Sequence, residues 1–566
     1  MHLTPLSLAG LLVLVGASFL TGCKPSAPSD SSEGASPPPP PVPPPARLNL
    51  VFTYGSEKQK WIEALTREFN AAKHTSVTGK SLWVEAIPMG SGDCIQEILQ
   101  GKRKTHLTSP ASTAFIRLGN AESQARTGHG VVEDPVNLVL SPVVIAMWKP
   151  MAEALGWPAK SPGWREIHDL AVDSQGWAGK GFPQWGKFRF GHTHPDYSNS
   201  GLISILAEAY AATGKVRGLT LDDLALPATG EYISHLESAV VHYGESTGFF
   251  GRKMFDGGPG YLSAAVLYEN MVIEAADRKD LAFPVVALYP REGTFWSDHP
   301  AAIVQREWVT PEIKAGAKTY LDFLTARPQQ ERAMQYGFRP ADPAIPLAAP
   351  VDAGHGVNPA EPQTTLDVPE VPVIQATLNL WRERKKKSNV VLVLDVSGSM
   401  KSDSKIIYAK KGAQQFIQML GDKDELSVLP FNDKVTWLAK SKPLAGERDA
   451  IKRSVDSLFV DGGTALYDAV VDGLAYLKAN PRPDMINAMV VLSDGADTHS
   501  KTQLELLLKQ LRQDDEAGGV RIFTISYGKD AKGDILEQIS LATKARSFAG
   551  STTDIDRVFR EISTFF

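Results

Sequence analysis

Two hydrophobic periods alternate through the C-terminal third of the chain. Residues 390–394 form a continuous apolar, mostly β-branched run, which predicts a strand buried on both faces of a parallel sheet. Ile406, Lys410, Ala413, Phe416, Ile417 and Leu420 then recur at helical spacing, with the aliphatic stem of Lys410 covering the one charged position. Residues 486–495 predict a second buried strand, ending in Ser493-Asp494-Gly495. Within 460–478 a Gly-Gly turn precedes Thr464 and a helix whose Leu466, Val470, Leu474 and Leu477 share a face. Residues 425–431 and 520–528 read as further strands, with helices packed between them. A doubly wound, Rossmann-like α/β sheet accounts for this order, but no Gly-x-Gly-x-x-Gly follows any strand, so dinucleotide binding is not supported.

The preceding 300 or so residues alternate short strands with helices. Residues 48–72 read as strand, loop and helix, with Tyr54-Gly55-Ser56 at the turn, and 82–101 repeat the layout with Gly90-Ser91-Gly92 before the helix. Further helix starts are expected after Thr108 to Ser112 and after Tyr197 to Gly201. Such Ser/Gly-rich helix starts favour anions or polar ligands, although ordinary N-capping explains each one taken singly. Residues 348–370 are Pro-rich. Residues 371–384 look helical and run into a basic stretch, read as a solvated helix C-terminus.

At 566 residues the chain should hold roughly three to four domain-sized units. Its net charge of -5, without a long basic block, excludes a nucleic-acid partner. Residues 8–20 form an apolar run shorter than the ~20 residues of a spanning helix, as expected for an export signal. Leu20-Thr21-Gly22-Cys23 resembles the bacterial lipobox, which implies lipidation of Cys23 and a membrane attachment through that lipid. Lys24 lacks the aspartate associated with inner-membrane retention, which leans towards the outer membrane. Residues 24–47 are rich in Pro and Ser and read as a tether, reaching up to ~60 Å at ~3.1 Å per residue. Cys94 is then the remaining thiol, expected as a small buried residue.

The candidate chemistry gathers where the C-terminal strands end. Asp395, Ser397 and Ser399, then Thr464, then Asp494 offer two carboxylates and three hydroxyls from separated segments, all at the carboxyl edge where open α/β sheets bind ligands. Hard oxygens without histidine or thiolate suit Mg²⁺, with Mn²⁺ or Ca²⁺ as alternatives. This pattern resembles the metal-ion-dependent adhesion site (MIDAS) of von Willebrand factor A (VWA) domains. The resemblance implies that Ser397, Ser399 and Thr464 touch the metal directly, that Asp395 and Asp494 act mainly through waters, and that a partner protein supplies an Asp or Glu.

The larger body is similar to two-lobed bacterial extracellular solute-binding proteins (periplasmic binding protein type II). That resemblance implies an interlobe cleft lined by Ser56, Ser91, Ser112, Ser141, Ser200 and Glu269 and a small solute as a second ligand. His192-x-His194 with Asp196 is read as surface or capping residues rather than a transition-metal site. No serine, cysteine or histidine lies in a nucleophile-activating motif, so no catalysis is expected.

The expected organisation is a signal segment over 1–23, a tether over 24–47, a two-lobed body over 48–385 and a VWA domain over 388–566. The expected protein is a periplasm-facing envelope lipoprotein that binds a partner through a metal. The alternative is a small-solute receptor for transport or sensing, with the VWA domain as a docking handle.

Overall fold

The computed structural model describes residues 46–482, 485–516, 520–528, 531–543 and 545–566. Cys23, the signal segment and nearly all of the tether lie outside the described residues. Among the described residues, no helix is long and apolar enough to cross a membrane.

Three sheets organise the chain. The first, in lobe I, runs in the order Ser81–Met89, Arg47–Gly55, Leu107–Ser109, Pro300–Ile303 and Val136–Asn137. Its first three strands are parallel, each followed by a helical segment, which leaves Ser56, Ser91 and Ser112 at strand-to-helix turns. Leu50, Phe52, Trp61, Leu65, Phe69 and Tyr320 fill its core.

The second sheet, in lobe II, is built on the long strand Val139–Trp148, with Ala264–Tyr268, Phe190–Thr193 and Val240–Gly244 beyond it. The chain enters lobe II at Val139, returns to lobe I between Ser297 and Pro300, and enters lobe II again at Arg339. Both lobes are therefore built from discontinuous segments of the chain.

The third sheet has the order Ala439–Pro443, Glu425–Phe431, Ser388–Asp395, Ile486–Ser493, Arg521–Tyr527 and Ser547–Gly550, parallel except for its first strand. Alternation along Ser388–Asp395 explains the double winding. Val390, Leu392 and Leu394 pack on one face against Phe416, Ile417 and Phe559, while Val391 and Val393 pack on the other against Val470, Leu474 and Leu511. Each face is covered by helices, and all eight residues of the strand are buried.

Residues 46–566 form one compact unit. The helix Val371–Arg384 lies on lobe II and buries Trp381 beside His194 and Tyr243. The basic stretch after it is not simply solvated. Lys385 is buried with its Nζ 3.8 Å from Asp424 of the third sheet's domain, and Lys387 donates to the helix-terminal carbonyls of Arg382 and Glu383. A helix C-terminus that abuts a second domain must neutralise charges it would otherwise leave in water. The last helix, Ile555–Ser563, reaches back to both lobes: Arg560 pairs with Asp93 of lobe I at 2.5 Å, and Glu561 lies 3.6 Å from Lys253 of lobe II.

Candidate functional site

Asp395 ends the central strand of the third sheet, and its buried carboxylate organises the turn that follows. One oxygen accepts the backbone N–H of Ser397 at 2.8 Å, and the other accepts the Ser493 hydroxyl at 2.6 Å. Burial raises the Asp395 carboxyl above the ordinary aspartate range, against the hydrogen bonds from Ser397 and Ser493 that lower it. Ser397 Oγ lies 2.9 Å from Ser399 Oγ, and Ser399 donates to Asp494 Oδ1 at 2.6 Å.

A strap holds the third segment in place. Gly398 N–H donates to Gly462 C=O, and Asp461 N–H donates to Val396 C=O, both at 3.0 Å. Gly462 has φ +73°, a left-handed conformation that a glycine supplies at little cost. Thr464 follows, its N–H bonded to Thr498 Oγ1 and its carbonyl to the N–H groups of Thr498 and His499. A Cβ added at Gly495 would stand 3.8 Å from Ser399 Oγ and 4.0 Å from Thr464 Oγ1. The structure therefore gathers Asp395, Ser397, Ser399, Thr464 and Asp494 at one rim. Ser399 is exposed and the other four are buried beneath it.

Lys405, a residue not anticipated from the sequence, completes the cluster. Its Nζ donates to Asp494 Oδ2 at 2.8 Å, and its side chain is nearly buried. Gly528, at φ +89°, leaves the passage: a Cβ there would sit 3.0 Å from Lys405 Cε. Between Ser399 and Lys405 the chain places two successive non-glycine residues, Asp403 and Ser404, at φ 53° and 57°, a strained turn beside the site. The only signal available for Lys405 was a cation at the first turn of the helix after the motif, which is common in helices of many kinds.

Two carboxylates, three hydroxyls and a lysine that holds the far side of one carboxylate form a hard-oxygen donor set. Mg²⁺, Mn²⁺ or Ca²⁺ fits it, whereas zinc prefers nitrogen and sulfur ligands. The buried Asp395 and Asp494 carboxylates and the room above Gly495 suit a small divalent ion.

The six cleft candidates are all buried, and each already has a protein partner. Ser56 Oγ lies 2.8 Å from Ser246 Oγ of the opposite lobe and accepts Gly248 N–H; Ser91 accepts Ala111 N–H; Ser112 caps the helix Thr113–Thr127. Ser141 accepts Asn270 N–H, Ser200 shares hydroxyl contacts with Thr193 and Thr247, and Glu269 is gripped by Arg339 and Tyr289. Thus Ser56 faces the other lobe directly, while Ser112 and Glu269 are occupied within their own lobes. The lobes meet backbone to backbone: Gly92 N–H donates to Tyr197 C=O at 2.8 Å, and a Cβ at Gly90, Gly92 or Gly248 would collide with the facing main chain.

His192 and His194 are buried, contrary to the expectation of a surface position, while His194 Nδ1 accepts the Asp196 N–H at 3.3 Å as a local cap. The strand Phe190–Thr193 lies inside lobe II, and its loop is covered by Trp381. Asp196 pairs with Arg382 at 2.6 Å, and its second carboxylate oxygen lies 4.0 Å from His194 Nδ1. Cys94 is a buried free thiol, as expected of a small core residue, and burial pushes it up to about 12.

Residues 50–339 match the family model described as bacterial extracellular solute-binding protein, and residues 389–561 match that of the von Willebrand factor type A domain. Among curated proteins, inter-alpha-trypsin inhibitor heavy chain H2 of Mesocricetus auratus is 24% identical over 190 residues, 31% of this chain and 20% of that protein. The chain thus spans about a fifth of the length of the curated relatives it matches. Among solved structures, a periplasmic thiamin binding protein aligns over 60% of this chain and 96% of its own, at 14% identity and TM-score 0.43. A von Willebrand factor type A protein from Catenulispora acidiphila aligns over 32% and 42%, at 20% identity and TM-score 0.28.

Proposed function

Because the chain belongs to the bacterial extracellular solute-binding protein family and carries a C-terminal von Willebrand factor type A domain, we propose that it is a non-enzymatic, lipid-anchored protein of the bacterial envelope that grips a partner protein through a divalent cation. Family membership supports a location outside the cytoplasm, and the binding character of both domains supports the non-enzymatic reading.

The observation that carries the proposal is the hydrogen-bonded chain of Asp395, Ser397, Ser399 and Asp494, with Thr464 Oγ1 beside it across Gly495 and an opening to solvent at Ser399. In this reading Ser397, Ser399 and Thr464 hold the ion with neutral oxygens, while Asp395 and Asp494 supply the negative charge. Lys405 pairs with Asp494 from the side away from Ser399. A partner's Asp or Glu would complete the shell of a bound divalent ion at the exposed rim. Phe459, 79% exposed and two residues before the strap at Asp461, offers apolar contact beside that rim. Calorimetric titration with Mn²⁺ or Mg²⁺ tests the metal: Asp395→Ala and Thr464→Val should each weaken binding at least about tenfold, and unchanged affinity in both would exclude this site.

One observation favours the alternative of a small solute between the lobes. Ser109 Oγ at the end of a lobe I strand and Asn199 Oδ1 at a lobe II helix start are buried polar atoms without a hydrogen-bond partner. Thermal-shift screening of the full chain against anions, sugars and amino acids should then find a stabilising ligand whose effect Asn199→Ala removes. No stabilisation by any of them would leave the cleft as an interlobe contact.

A further inference from the structure

A second cluster, remote from the rim at Asp395, lies inside lobe II. His192 from the strand Phe190–Thr193, Glu208 from the helix Asn199–Thr213 and Glu237 from the helix Pro227–Ser238 place one ligand atom each within 4.8 Å of the others, and all three residues are fully buried.

The hydrogen bonds around the cluster fix what its inner atoms can be. His192 Nδ1 lies 2.7 Å from Thr193 C=O, an oxygen that can only accept, so this nitrogen carries a hydrogen. In the neutral ring Nε2 then presents a lone pair, yet it faces Glu237 Oε1 at 3.0 Å, another acceptor when ionised. Either a proton or a metal ion must lie between them.

A proton there answers for that pair, and the third member, whose carboxyl burial raises to about 8, then needs a proton of its own. Glu208 Oε1 accepts from Ser204 at 2.9 Å, and its Oε2 is buried without a hydrogen-bond partner. One divalent ion would take the place of both protons, drawing one ligand atom from each residue and balancing both carboxylates. The outer atoms are already held as metal-ligand side chains usually are: Nδ1 by a carbonyl, Glu237 Oε2 by the Tyr243 hydroxyl at 2.6 Å, Glu208 Oε1 by Ser204.

We propose that His192, Glu208 and Glu237 bind one first-row divalent transition-metal ion as a buried structural clamp of lobe II. One imidazole and two carboxylates are the ligand types of zinc, manganese or iron(II). The clamp joins two helices to the strand beside Val240–Gly244, where Tyr243 N–H donates to Thr564 C=O of the C-terminal domain at 2.9 Å. With no exposed ligand, the ion enters during folding and exchanges slowly, unlike an ion at the solvent-open rim.

The test refolds the full chain with Zn²⁺, Mn²⁺ or Co²⁺ in separate samples, passes it through gel filtration in EDTA, and measures retained metal by elemental analysis. Wild type and Asp395→Ala should both retain close to one equivalent of at least one of these ions, and Glu208→Gln should retain at least tenfold less. Refolding with Co²⁺ gives a second readout that needs no variant, a visible ligand-field absorption from the wild-type chain. Less than about a tenth of an equivalent in wild type with every ion, or retention indifferent to Glu208→Gln, would overturn the proposal and leave protons in the cluster. Retention lost only in Asp395→Ala would overturn it too, by placing the ion at the other site.

Discussion

At the scale of single residues, Lys405 grips one of the two carboxylates of the rim. Its ammonium occupies the Asp494 oxygen that Ser399 does not bond, and it brings a positive charge beside the proposed ion. Lys405→Met should strengthen Mg²⁺ binding by at least about tenfold in a calorimetric titration, since a like charge a few ångströms away opposes the ion even at a high effective dielectric. Unchanged or weaker binding would remove Lys405 from the charge balance. The motif residues themselves were legible because Asp395, Thr464 and Asp494 each follow a recognisable strand or turn, and parallel strands bring their carboxyl ends to one edge. Lys405 was not legible, because its role depends on the space Gly528 leaves beside it, and Gly528 is more than a hundred residues away in sequence.

The helix Val371–Arg384 shows what element-level patterning can and cannot reveal. Its extent matches the apolar period, but the reading of its basic end as solvated failed because the neighbouring domain covers Lys385. The docked helix also buries His194 against Trp381 and Tyr197. Burial first, and Lys385 and Arg382 next, hold that imidazole down at about 4, with Asp196 pulling the other way. The unfolded chain binds this proton near 6.5, so the contribution to stability is complete above that pH and is lost as pH falls through 4. The same sign applies to His299, lowered to about 4 by burial and then by Lys58. Urea unfolding at pH 7.5 and 4.5 should therefore show His194→Phe losing less stability on acidification than wild type, by up to about 3 kcal/mol. Equal losses would mean that His194 is protonated in the fold.

At the scale of the whole molecule, the described residues form one unit in which the final helix touches both lobes. Arg560 meets Asp93 and lies 5.8 Å from the ring of Tyr197, so a single side chain of the C-terminal domain spans the interlobe joint. Calorimetry should find one cooperative transition for wild type and a separation into two for Arg560→Glu, which places a carboxylate against Asp93. A single unshifted transition in the variant would mean that other contacts carry the coupling. Fold class was readable from the alternation of strands and helices. Neither the closed lobes nor the docking of the last helix was readable, because both depend on close backbone approach at Gly90, Gly92 and Gly248 and on pairings hundreds of residues apart. The central claim remains the carboxylate-seeking cation at Asp395. Its most direct test is capture of envelope proteins by the immobilised full chain in Mg²⁺, in EDTA, and with Asp395→Ala. The account predicts a specific partner retained in Mg²⁺, released by EDTA and not captured by the variant; a partner held equally in all three would contradict it.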